Sequence, residues 1–291
     1  MLYDINASID YSYQTAAGAG RNLLRLMPAN VPGEQRLIAG TLSSDLVPDE
    51  RVCRVDFFGN EMVELAFRHS FDHVSFRVQA RVERMAQPPE LDLSPPLERL
   101  ATELATVQSL APQSPQHFLA PSPRVRLASE MADYARDQLR PGITALAAVQ
   151  AVGAALHRDM RFDAGATTVD TDPAEAFANR HGVCQDFSHV MIACLRGIGV
   201  PAGYVSGYLR TEPPPGQQRL AGADAMHAWV RAWCGVETGW ISFDPTNDTM
   251  VGGDHVRVAL GRDYDDVAPV RGVLRTGGGQ SSGHSVDVVP I

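Results

Sequence analysis

The hydrophobic period of this chain changes once, near residue 124, and that change limits what it can fold into. Upstream, Ile5, Ala7, Ile9, Tyr11 and Tyr13 alternate with more polar neighbours, as do Val74, Phe76, Val78, Ala80 and Val82. A period of two marks a half-buried strand. Asp49-Glu50 and Gly59-Asn60 punctuate the apolar runs 52–58 and 62–67. Residues 1–85 are therefore expected to form an antiparallel β-sandwich of five or six short strands. Downstream the period is near 3.6. Leu127, Met131, Tyr134 and Leu139 fit one helix, and Leu146, Val149, Val152, Leu156 and Met160 a second. Asp172-Pro-Ala-Glu175 has the cap, the first-turn proline and the acidic residue that open a third. Phe187, Val190, Met191, Cys194, Leu195 and Ile198 stripe a fourth, ended by Gly197 and Gly199 ahead of Pro201. Strand alternation then returns over 204–210, 227–233 and 240–244. Helices followed by an antiparallel sheet make 124–291 an α+β core.

Between these zones, residues 86–123 hold eight of the 20 prolines and read as a surface linker with a short helix around 97–110. Pro112-Gln-Ser-Pro115 has P-x-x-P spacing without a close Lys or Arg, so it is read as spacer. At 291 residues the chain can bury a full core without staples. A net charge of −9 argues against a nucleic-acid partner. The four cysteines, Cys53, Cys184, Cys194 and Cys234, form no C-x-x-C pair, which excludes a zinc ribbon or a disulfide scaffold. No metal or cofactor is expected. The start shows no basic and apolar leader, and the stretch from Ile143 to Leu156 is too short and too polar-flanked to span a bilayer. A cytoplasmic protein without membrane contact is expected.

The chemistry-bearing residues fall on three elements. His181-Gly-Val-Cys-Gln-Asp-Phe-Ser-His189 puts Cys184 at the first turn of the fourth helix. Unpaired amides and the positive end of the helix dipole favour a thiolate there. Gly182 permits a sharp entry and a close backbone approach. Cys184 shares the apolar face of Phe187 and Met191, so a buried helix presents its thiol at one end. Met226-His-Ala-Trp-Val-Arg-Ala-Trp233 alternates as a strand, and His227 at its start can serve as base to a thiol brought alongside. Asp244, ending a strand before Pro245, can hold the second nitrogen of that imidazole. His189 lies about 140° around the helix from Cys184 and points elsewhere. Taken singly, each residue also has a structural reading: a packed cysteine, a core histidine, a turn aspartate.

Together, Gly182-Val-Cys-Gln-Asp186, Arg196-Gly-Ile-Gly-Val-Pro-Ala-Gly-Tyr-Val-Ser-Gly-Tyr208, His227-Ala-Trp229 and Phe243-Asp-Pro-Thr246 resemble the bacterial transglutaminase-like superfamily. Residues 1–85 resemble the β-rich region that precedes its core, and Gly261-Arg-Asp-Tyr-Asp-Asp-Val-Ala-Pro-Val-Arg-Gly272 its C-terminal segment. The resemblance implies a papain-like fold with Cys184, His227 and Asp244 as catalytic triad. It also implies acyl transfer from peptide or side-chain amides through a cysteine thioester. Hydrolysis by a cysteine peptidase or amidase is the reading adopted. A glutamine transglutaminase with an amine acceptor, and a binding scaffold retaining the triad, are the alternatives. All three tryptophans lie downstream of Cys184, so the oxyanion-holding Trp that animal transglutaminases carry upstream of the nucleophile has no counterpart. The Cys184 N–H can supply one oxyanion donor and Asn179 is a candidate for the second. Gln185, Asp186, Tyr204 and Trp229 complete the substrate and oxyanion candidates. Asp263, Asp265 and Asp266 lack the pattern of a calcium loop and read as a solvated turn. The Pro- and Gly-rich stretch 211–224 is expected to line the cleft and filter substrates by size. The N-terminal sandwich is a candidate docking surface for a protein partner.

Overall fold

The first strand organises everything upstream of the helices. In the computed structural model, which describes residues 1–85, 91–211, 222, 224–275 and 277–291, β1 runs Leu2–Leu24. Its alternate residues Tyr3, Ile5, Ala7 and Ile9 are buried, as the strand period requires. With β2 (Gln35–Ser44), β3 (Glu50–Val55), β4 (Glu61–Phe67) and β5 (Phe71–Arg84) it forms an antiparallel sheet of order β2-β5-β1-β4-β3. The β1–β5 register shifts between Ser12 and Ala17, and there β1 changes partner: Leu2 to Ser12 lie beside β5, Gly20 to Leu24 beside β4. An irregularity of this kind bends a strand. The N-terminal β region is thus one sheet curled about a shared strand.

The proline-rich segment does more than connect. Its helix α1 (Leu97–Thr106) buries Leu100. Phe118 has no exposed surface and packs at 5.6 Å from Phe58 and 5.0 Å from Trp240. The stretch read as a surface linker therefore wedges an aromatic side chain between the N-terminal sheet and the core, where its burial outweighs the local preference of the prolines for solvent.

Helices α2 (Ser129–Asp137) and α3 (Ala145–Asp159) follow. The two-residue strands β6 (Arg161–Phe162) and β7 (His181–Gly182) pair in parallel around α4 (Pro173–Asn179). Asp172 caps α4 by accepting from the Ala174 N–H at 2.8 Å. Helix α5 (Cys184–Gly197) is buried almost throughout and packs on the core sheet. That sheet holds β8 (Ala202–Leu209), β9 (Ala225–Trp233), β10 (Trp240–Asp244), β11 (Thr249–Met250) and β12 (His255–Gly261) in the order β11-β10-β9-β8-β12. Arg196 clamps the assembly, donating from inside α5 to Ala202 O, Ala120 O, Ser122 Oγ and Arg262 O. No described helix is long and apolar enough to cross a membrane.

After α6 (Tyr264–Val267) the chain leaves the core. Strand β13 (Val270–Arg275) pairs with the second half of β1, and β14 (Gln280–Pro290) with the first half, from Tyr3↔Pro290 to Tyr13↔Gln280. The C-terminal strands that sequence order assigns to the core thus belong to the N-terminal sheet. They cover a β1 edge that would otherwise present unpaired N–H and C=O groups. Val286 and Val288 are fully buried there, whereas Val289 is 39% exposed. Val288→Ala is expected to lower unfolding free energy by about 2 kcal/mol, from lost burial plus a residual cavity. Val289→Ala should stay within about 0.5 kcal/mol. Urea melts of the two variants check this, and equal effects would contradict the register.

Candidate active site

Three strands deliver three side chains to one face of the core sheet. On β9, His227 stands opposite Gly207 of β8, and Arg257 of β12 stands opposite that same glycine. His255, two residues before Arg257, therefore shares the face with His227. Ser242 of β10 pairs with Arg231, which puts Asp244 on that face too. Gly207 has to lack a side chain: a Cβ there would lie 2.5 Å from the Trp229 indole and 2.2 Å from the Val256 carbonyl oxygen. Trp229, 2% exposed, instead flanks both imidazoles, with ring centroids 6.3 Å from His227 and 5.2 Å from His255.

Asp244 has no exposed surface, and both of its carboxylate oxygens act as acceptors. Its Oδ2 accepts from His227 Nε2 at 2.7 Å, His255 Nε2 at 3.1 Å and Asn247 Nδ2 at 2.7 Å. Its Oδ1 accepts from the Thr246 and Asn247 N–H groups at 2.9 and 3.3 Å. Burial favours the neutral acid, but the hydrogen bonds from both histidines, the charge of His227 and the bond from Asn247 outweigh it. They hold the carboxyl well below its usual range. For His227 the balance has the opposite sign. Burial would keep the ring neutral, yet its hydrogen bonds with Asp244 and Cys184, and the negative charge on those partners, push it well above the usual imidazole range.

Cys184 is the first residue of α5 and is half-buried. The turn that presents it is fixed by Asp186, 1% exposed, whose Oδ2 accepts from the Val183 N–H at 2.8 Å and the Thr167 hydroxyl at 2.7 Å. Burial raises the Asp186 carboxyl against those bonds and the nearby His181. Gly182 serves this fold-back rather than open space for a ligand, since a Cβ on it would lie 2.5 Å from Asp186 Oδ2. Gln185 is turned to the Val169 carbonyl at 3.0 Å. Tyr204 is buried against His189, and its hydroxyl is pushed up first by burial and then by the negative charge of Cys184.

Cys184, His227 and Asp244 thus come together, with Trp229 beside the imidazole and Asp186 behind the thiol. Asn179 ends α4 exposed to solvent, outside the hydrogen-bonded cluster. The sequence reading missed His255 and Asn247. Asn247 lies three residues past Asp244, a spacing at which an amide can fold back in a turn. His255 carries no comparable local signal. The turn read as solvated is corrected at Asp263, which is fully buried, caps α6 through the Asp265 N–H at 2.9 Å and accepts the Arg124 N–H at 2.7 Å. Asp265 and Asp266 pair with Arg124 and Arg262, each at 2.8 Å. Residues 212–221 and 223 of the expected substrate-filtering stretch lie outside the described residues. Its ends are tied down: Asp224 accepts from the Thr211 N–H at 2.7 Å and the Val288 N–H at 2.6 Å, and Gly222 N–H reaches Asp287 at 2.7 Å.

The sequence that builds this fold matches a known family. The profile of the transglutaminase-like superfamily matches residues 132–245, and that of the bacterial transglutaminase-like N-terminal region matches 3–83. The chain belongs to the transglutaminase-like superfamily. Among its relatives, the uncharacterized protein Rv2569c of Mycobacterium tuberculosis is 33% identical over 301 residues, covering 99% of this chain and 93% of that one. ML0607 of Mycobacterium leprae is 41% identical over 112 residues, 38% of each chain. The crystal structure of a "putative cysteine protease" from Cytophaga hutchinsonii superposes with a TM-score of 0.76 at 21% identity, covering 99% of this chain and 90% of that one.

His189 supplies a pH test of the packing behind the site. It is fully buried, accepts the Tyr264 N–H at 3.1 Å, and is pushed down to about 3 by burial and by Arg124 and Arg196. The unfolded chain takes up this proton near pH 6.5, so between those values it binds more protons than the folded one. Stability falls as pH falls through that window. By pH 5 the loss from this group is roughly 2 kcal/mol. His189→Gln should remove that part of the slope: between pH 7.5 and 5, urea melts should show the wild type losing more than the variant by about that amount. Equal losses would contradict a buried neutral His189.

Proposed function

We propose that the protein is a thiol-dependent amide hydrolase, a cysteine peptidase or amidase, in which Cys184, His227 and Asp244 carry the reaction. The observation that carries this reading is the line from Cys184 through the His227 ring to a carboxylate with no exposed surface. An imidazole held toward its protonated form beside a thiol favours a thiolate–imidazolium pair. The thiolate attacks the carbonyl carbon of a peptide or side-chain amide, and charge collects on the oxygen. The Cys184 N–H, at the first position of α5, supports that oxygen. His227 then gives its proton to the departing nitrogen, the C–N bond breaks, an amine leaves and a thioester remains. The neutral imidazole takes a proton from water, whose oxygen attacks the thioester. The acid is released and the thiol regenerated.

Water rather than a second amine is favoured as acceptor by the state of the local carboxylates. Among the described residues, Asp186 behind Cys184 and Asp244 beside His227 are both taken up by protein donors. Neither is left to hold an incoming ammonium group.

Mass spectrometry after incubation with a peptide aldehyde should find one adduct, on Cys184, rather than on exposed Cys53 or buried Cys194 and Cys234. Cys184→Ala should lose the adduct and melt within about 2 °C of the wild type. Turnover of peptide amides in the presence of a primary alkylamine should give mainly the carboxylic acid. A predominance of the amine-exchanged amide would overturn hydrolysis, and a wild type without adduct would overturn the thiol mechanism itself.

A further inference from the structure

The hydrogen bonding of His255 determines which of its nitrogens carries hydrogen. The Gly252 N–H donates to Nδ1 at 3.4 Å, so Nδ1 is a bare acceptor. The ring hydrogen is therefore on Nε2, aimed at Asp244 Oδ2 3.1 Å away. His227 is placed differently. It meets Asp244 through Nε2 and hydrogen-bonds Cys184 as well, so both its partners favour an added proton.

We propose that His255 is a positioning residue: a neutral Nε2–H imidazole that holds the ionised Asp244 carboxylate in the orientation that engages His227. The inference rests on Cys184, His227 and Asp244 being the reacting group proposed above. Three side chains donate to Oδ2, and their origins differ. Asn247 belongs to the same turn as Asp244 and moves with it. His227 is the group being positioned. His255 comes from β12, which β9 and β8 separate from β10 in the sheet. It is therefore the donor that ties the carboxylate to a strand other than that of its own turn or its catalytic partner.

The imidazole of His255 is itself well fixed. Its side chain is 6% exposed, and Trp229 packs against it with the two ring planes 81° apart. Its tautomer depends on the 252 turn, and the Gly252 carbonyl is held from the N-terminal sheet by Arg84 Nη2 at 3.1 Å. Among the described residues, this turn is flanked by Arg84, by the Met1 ammonium that donates to the Arg84 carbonyl, and by the Arg210–Asp254 pair, engaged at 3.0 Å.

The same three residues invite a second reading, because His227, Asp244 and His255 offer ligand atoms within 4.8 Å of one another. A metal on His255 Nε2 would require its hydrogen to move to Nδ1. Imidazoles that bind metals donate their other N–H to an acceptor. Here that position faces the Gly252 N–H, so the surrounding backbone opposes metal ligation and supports the donor role.

Two variants and one spectrum test this. His255→Gln keeps an N–H donor of similar reach without a ring, and His255→Leu removes it. Alkylation of Cys184 by iodoacetamide, followed by mass spectrometry from pH 5 to 9, should stay within about threefold of wild type in the Gln variant. In the Leu variant it should fall about tenfold at pH 6.5, the scale of one charge-assisted hydrogen bond. Thermal melts confirm that both variants fold. Nitrogen-15 spectra of histidine-labelled wild-type protein at pH 7.5 should show His255 as the Nε2–H tautomer. Equal rates in both variants, equal losses in both, or an Nδ1–H or doubly protonated His255 would overturn the proposal. The spectrum and the alkylation need no substrate, so a failure to find amide turnover would count against the hydrolase reading alone.

Discussion

A carboxylate with no exposed surface and five hydrogen-bond donors around it governs the arrangement of the core. Five donors and no acceptor make a place that only an anion satisfies. A neutral acid or an amide would turn an N–H or O–H toward a group that also donates. Removing one charge from such a site leaves the others desolvated and unpaired, which is why buried pairs of this kind are costly to break. Asp244 draws together the strand that carries His227, the strand that carries His255 and the turn that carries Asn247. The imidazole is pulled toward its protonated form, and the thiol at the head of α5 faces that ring.

The rest of the molecule holds these parts in register. Arg196 ties α5 to β8, to the proline-rich segment and to the turn before α6. Asp186 locks the entry to α5 through the Val183 N–H. The N-terminal sheet reaches the site by two routes. Arg84 of β5 fixes the turn that sets the His255 tautomer, and β14 binds Asp224, three residues before His227. A sheet that sequence order separates from the site thus hydrogen-bonds the turns on either side of it.

Much of this was legible in the residues themselves. Cys184 at a helix start, His227 at the head of an alternating strand and Asp244 before a proline are local patterns, and local patterns survive folding. The helices α2 to α5 and the strands β8 to β10 followed from their periods for the same reason. What escaped depends on contacts between distant segments. His255 reaches Asp244 from the other side of β8, and no sequence interval encodes that meeting. Phe118 lies among prolines that look like linker, and its burial depends on Phe58 and Trp240 from two other regions. The pairing of β13 and β14 with β1 reverses the order in which the chain is read. Asp263 resembles a solvated acidic turn until Arg124 is brought to it across the fold.

The most direct measurement is the pH dependence of Cys184 alkylation in Asp244→Asn. The substitution keeps the shape of the side chain and removes the charge that holds His227 toward its protonated form. Loss of the thiolate–imidazolium pair should slow iodoacetamide labelling of Cys184 at pH 6 by about a hundredfold, equivalent to about 2.7 kcal/mol. Cys53, which is exposed and remote from the cluster, should react unchanged. If Cys184 in a folded Asp244→Asn protein reacted at the wild-type rate at pH 6, the buried carboxylate would not be what activates the thiol.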